Sequence, residues 1–183
     1  MRFHALAAIL LFAANPSFAQ NWQMMADQSN LGFTVTQMGS PIDGSFNSFD
    51  TEIRFDPAAL DQASVRVIID TASVDTGYGE RDDAIRGKEW FDSENHPQAV
   101  FQSSGFAEEG DGYLVTGNLT IRDIAREIEM PVQIGIDGEQ AVAQGEITID
   151  RSDFSIGTGQ WTSGATIGKE VTISFDVKAT IAN

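Results

Sequence analysis

Between Val171 and Ile181 every odd position is apolar (Val171, Ile173, Phe175, Val177, Ala179, Ile181) and every even one is polar or charged (Thr172, Ser174, Asp176, Lys178, Thr180). Unbroken period-two alternation gives an extended strand one dry and one wet face, and a helix cannot keep that pattern on one side. The same rhythm returns in Leu31, Phe33 and Val35, in Phe49, Ile53 and Phe55, in Val65, Val67 and Ile69, and in Ala99 and Phe101. It continues in Val115, Leu119 and Ile121, in Ile128 to Ile136, and in Ala141 to Ile149. Together these predict eight strands. Asp43-Gly44, Gly110-Asp111-Gly112 and Asp137-Gly138 supply turn chemistry between them, so consecutive strands pair antiparallel. Eight amphipathic strands with short turns predict an all-β, eight-stranded antiparallel, lipocalin-like barrel.

A two-residue turn at Asp137-Gly138 would place Ile134 opposite Ala141, Val132 opposite Ala143 and Met130 opposite Gly145. That register sets small residues where a packed interior wants bulk. Two interiors follow: a hollow tube, which a large residue at Gly145 would block, or one filled by Phe33, Phe46, Phe101 and Phe175.

Asp75 to Pro97 breaks the strand rhythm. Its centre, Glu80 to Lys88, has helical features, with Asp82 and Arg86 spaced as an i,i+4 ion pair, so a short helical segment is expected in the loop around 78–92. Ile85, Trp90 and Phe91 are apolar in an otherwise polar connection, which suits a roof over one end of the barrel. Ser155 to Lys169 is a second long connection, carrying Trp161 as a candidate lid residue. Its glycines lack the G-K-[ST] ending of a phosphate loop.

Met1 to Ala19 has the layout of a secretory signal: Arg2, an apolar run from Ala5 to Ala14, then Ser17-Phe18-Ala19. Cleavage after Ala19 would leave a single domain, 20–183, in the periplasm, with His96 as its only histidine. One histidine and 0 cysteines exclude a histidine triad, a multi-histidine metal site, thiol chemistry and disulfides. A net charge of −16 repels phosphate backbones, so nucleic acid is not an expected partner. No G-x-S-x-G elbow is present, and Asp82, Asp83 and Asp92 are the carboxylates left for an enzymatic reading beside Arg81.

Read together, several short motifs resemble the YceI-like family of exported, lipocalin-like barrels that bind polyisoprenoid or similar long-chain lipids. The resemblance rests on Gly44-Ser45-Phe46, Ser73-Val74-Asp75-Thr76-Gly77, Arg81-Asp82 with Ile85-Arg86, Trp90-Phe91-Asp92, and the His96-Pro97 entry to Phe101. Gly117 to Arg122, Arg151-Ser152-Asp153-Phe154 and Gly168 to Ile173 complete it. The sequence departs at Ala84, where the family often has histidine, and at Ser155 and Asp123, where it often has glycine. The resemblance implies a binding protein, not an enzyme, with no cofactor beyond a bound polyisoprenoid or quinone-like lipid. Phe33, Val35, Phe46, Val67, Ile69, Phe101, Ile121, Phe154 and Trp161 would line the tube, with Ile85, Trp90 and Phe91 above it. Arg81, Asp82 and Arg86 would be the polar groups at the mouth. A homodimer is also implied by family precedent. The alternative is a filled barrel acting as an interaction module for a membrane redox protein.

Overall fold

The computed structural model describes residues 19–182, so the proposed signal segment up to Phe18 lies outside the described residues. Among them are eleven strands: β1 (Gln20–Met24), β2 (Asn30–Gln37), β3 (Ser40–Phe46), β4 (Phe49–Phe55), β5 (Ser64–Asp70), β6 (Val74–Asp75), β7 (Gln98–Glu109), β8 (Gly112–Ile121), β9 (Ile124–Asp137), β10 (Gln140–Asp150) and β11 (Ile167–Ile181). One helix, α1 (Gly79–Arg86), follows β6.

These strands form a closed, eight-membered antiparallel ring in the order β1-β4-β5-β7-β8-β9-β10-β11, which returns to β1. Trp22 pairs with Ile181 and Met24 with Ala179 at the closing seam. β11 is long enough to pair with β1 at its C-terminal end and with β2 along the rest, from Ile167 opposite Gln37 to Asp176 opposite Asn30. β1 and β2 are therefore one line of chain along β11, interrupted by a 3-10 turn at Ala26–Gln28. β3 pairs with β2 and β6 with β3, which carries the wall above the closed ring on one side.

The alternation places the odd positions of β11 inside, where Val171, Ile173, Phe175, Val177 and Ala179 face the barrel interior. The β9–β10 register differs from the sequence expectation by two residues: Ile136 faces Ala141, Ile134 faces Ala143 and Val132 faces Gly145. The turn residues are Gly138 and Glu139, with Gly138 at φ +60° and Asp137 still in the strand opposite Gln140. Glycine at the first central position is the type II′ pattern, whereas the expected Asp-Gly centre belongs to type I′. A slip of two residues keeps every side chain on its own face, so the inward set survives the correction.

Small inward residues have two different roles. Gly145 seats the Phe175 ring of the adjacent strand, and a Cβ there would stand 2.7 Å from the Pro131 carbonyl oxygen. Gly44 seats Phe33 in the same way. Ala141 and Ala143, by contrast, face open space in the interior. The interior is thus partly filled by aromatics and partly hollow.

The candidate binding chamber and its lids

Two adjoining cavities occupy the barrel. The upper one measures about 430 Å³ and the lower about 170 Å³; Leu31, Ile69, Leu119 and Ile173 belong to the walls of both. The lower chamber is lined by Trp22, whose indole N–H donates to the Phe55 carbonyl at 2.9 Å. Its walls are hydrocarbon and aromatic apart from Thr51.

Of the residues expected from the sequence, Phe33, Val35, Phe46, Ile69, Ile85, Trp90, Phe91, Ile121, Trp161 and Arg81 line the upper chamber. Val67 and Phe101 line the lower one. Phe154, Asp82 and Arg86 line neither. Phe154 is 2% exposed and belongs to the packed core beneath the second long loop. Asp82 turns inward: its carboxylate accepts from the Thr76 backbone N–H at 2.9 Å and from the Thr76 hydroxyl at 2.5 Å. With Asp82 engaged there, Arg86 pairs with Asp83 at 3.0 Å instead, and donates to the carbonyls of Ala72 and Val74. The expected Asp82–Arg86 pair therefore does not form. Asp83 is in this ion pair and Asp92 accepts from Asn95, so all three carboxylates of the enzymatic reading bind local structure.

The roof is made by two loops, Thr76 to Pro97 and Arg151 to Thr166. Phe91 meets Phe46 edge-on with centroids 5.6 Å apart, and Trp90 meets Trp161 at 5.8 Å. Glu89 joins the loops. Its carbonyl accepts from Gly157 N–H at 2.7 Å and Thr158 N–H at 2.9 Å, and its carboxylate accepts from the Trp161 indole at 2.8 Å. The β8–β9 turn, Arg122-Asp123, braces both loops: Arg122 donates to the carbonyls of Trp90 and Ser155, and the Asp123 carboxylate lies 3.0 Å from His96 Nδ1. Asp123 and Ser155 have φ of +61° and +55°. That left-handed backbone is the physical reason glycine suits both positions. Ala84 lines the upper chamber with a methyl group at its exposed rim.

Arg151 was legible only as part of a motif, yet it organises the second loop. It is 2% exposed, and its five N–H groups reach the carbonyls of Gly168, Ile156, Gly157, Trp161 and Ile167. Its guanidinium lies 5.2 Å from the Trp90 ring centroid. Burial pushes its pKa below the ordinary guanidinium value, with the neighbouring Asp150 charge opposing. A buried arginine fully donated to backbone carbonyls is a clamp: it fixes loop geometry without a carboxylate partner.

Residues 22–179 match the YceI-like domain family. The chain is 32% identical over 161 residues to a UPF0312 protein of Pectobacterium atrosepticum, covering 83% of this chain and 84% of that protein. Among solved structures it resembles Burkholderia cenocepacia BcnA, with 37% identity, a TM-score of 0.83 and coverage of 86% of this chain and 99% of that one. A polyisoprenoid binding domain from Saccharophagus degradans, implicated in plant cell wall breakdown, shares the fold at a TM-score of 0.68 and 18% identity, covering 89% of this chain and 99% of that one.

Proposed function

The chain belongs to the YceI-like family, and on that premise we propose that it is an exported lipid carrier that holds a long-chain polyisoprenoid or quinone-like molecule inside the barrel. The observation that carries this reading is the pair of adjoining apolar chambers, about 430 and 170 Å³, under a roof of two loops. A hydrocarbon tail needs little beyond such a dry space, since each buried methylene contributes about 0.8 kcal/mol. The polyisoprenoid binding reported in the name of the Saccharophagus domain supports the reading through shared fold. Periplasmic residence rests on the signal-like layout of Met1 to Ala19. The alternative, a filled barrel serving a membrane redox partner, expects no interior space, so the chambers favour the carrier.

Native mass spectrometry of protein purified without detergent, followed by solvent extraction, tests the proposal. A stoichiometric adduct that extracts as a prenyl or long-alkyl molecule is expected. Bare polypeptide that also takes up no added isoprenoid quinone would sink it.

A further inference from the structure

The charges on the upper chamber wall run against those of the chain. The chain carries −16, yet the charged residues lining this chamber are Glu80, Arg81 and Arg151, two cations against one anion, or +1. Neither arginine has a carboxylate partner: the ion pairs among the described residues are Arg66–Glu52, Arg86–Asp83 and His96–Asp123. Arg151 has its donors saturated by carbonyls, so it contributes charge and no free N–H.

Arg81 differs. It donates from Nε to the Thr76 hydroxyl at 2.8 Å, from Nη1 to Gln37 Oε1 at 3.4 Å and from Nη2 to the Thr76 carbonyl at 3.1 Å. A guanidinium has five N–H groups, so two remain for a ligand. Asp82 holds Thr76 through two hydrogen bonds, and Thr76 in turn fixes the guanidinium, so Arg81 is held in place before any ligand arrives. The Glu80 carboxylate accepts from the Tyr78 hydroxyl at 2.7 Å and is exposed, which weakens its opposition relative to a half-buried guanidinium.

We propose that Arg81 selects ligands with an anionic head group, a carboxylate or a phosphate, at the mouth of the upper chamber. The proposal rests on the carrier reading and names its head-group class: the tail supplies the affinity and the head supplies the choice. A neutral head offers the two free donors only neutral acceptors; an anionic one accepts them through charge-assisted bonds.

Three ligands with one geranylgeranyl tail test this: the alcohol, the carboxylic acid and the monophosphate, titrated calorimetrically into the full chain at pH 8. The acid, the phosphate or both should bind about ten-fold tighter than the alcohol; whichever leads identifies the anion. Arg81→Gln should bring the tight anion and the alcohol within about two-fold of each other, and Arg81→Lys should restore part of the gap. A merely structural role for Arg81 would weaken all three ligands together and leave their ratio intact, which would overturn the proposal. Glu80→Gln, which leaves the Thr76 network alone, should tighten the anions relative to the alcohol. Equal affinity of the wild type for all three ligands overturns head-group selection and leaves the carrier reading standing. If no prenyl ligand binds, the carrier reading falls and takes this proposal with it.

Discussion

Arg151 shows how one side chain fixes a lid. Replacing it with methionine keeps an unbranched apolar stem and removes five donors at once, leaving carbonyls of Ile156, Gly157, Trp161, Ile167 and Gly168 short of partners. Unsatisfied buried acceptors make this a severe change, about 3 kcal/mol or more, read as a drop in the urea midpoint. Arg151→Lys should recover little of it, because a point charge cannot reach a fork of carbonyls. The adjacent Asp150 caps the same loop: its carboxylate accepts from the Ser152 hydroxyl and N–H, which holds its pKa below 3.8, with Lys169 and Arg151 assisting. A carboxylate whose folded pKa is depressed contributes stability that is present above the unfolded value and is lost as pH falls through the folded one. Wild type should therefore lose this contribution only below about pH 4, while Asp150→Asn should lack the ion's share at neutral pH. Solvent screening keeps the effect to about 0.5–1 kcal/mol. Paired acid titrations of the two proteins, followed by near-ultraviolet circular dichroism, check it.

At the scale of elements, the roof is two loops joined through Glu89. Glu89→Ala removes the acceptor of the Trp161 indole while leaving the backbone bonds to Gly157 and Thr158. The Trp161 indole proton should then exchange at least ten-fold faster in hydrogen-exchange NMR, with the barrel amides unaffected. The strands were legible because a sheet with one buried face writes its period directly into the chain, as β11 does. The roof was legible in composition only: Trp90, Phe91 and Trp161 stood out as apolar residues in polar loops, but their contacts depend on distant backbone. Helix α1 shows why spacing alone misleads. Asp82 and Arg86 have the i,i+4 interval of an ion pair, yet Thr76 offers Asp82 two donors, and the pair passes to Asp83. Strand β1 was missed because Trp22 is its only buried residue, too few to show alternation, and β3 because Asp43-Gly44, expected as a turn, lies inside it opposite Thr34 and Phe33. Asp137-Gly138 carried the right turn signal one position out, since a type II′ turn needs glycine first.

At the scale of the whole molecule, interior volume is divided between aromatic seats and open space, and substitutions should separate the two. Ala143→Phe projects into the lower chamber and should raise thermal stability while shortening the longest tail the barrel accepts. Gly145→Trp, on the neighbouring seat of Phe175, meets ring and backbone at once and should destabilise by several kcal/mol instead of acting as a plug. A series of saturated fatty acids of increasing length, titrated into wild type and Ala143→Phe, reads the first; thermal melts of both variants read the second. Closure of the ring has a different kind of consequence. The strand beginning at Gln20 is held between β4 and the last strand, through Ala179 and Ile181. No segment that stops short of β11 can shut the barrel, so ring closure joins Trp22 to Ile181 across all the strands between them. A chain made only as far as Asp150 therefore lacks the strand that shuts the ring, and its apolar interior stays open to water until β11 has emerged.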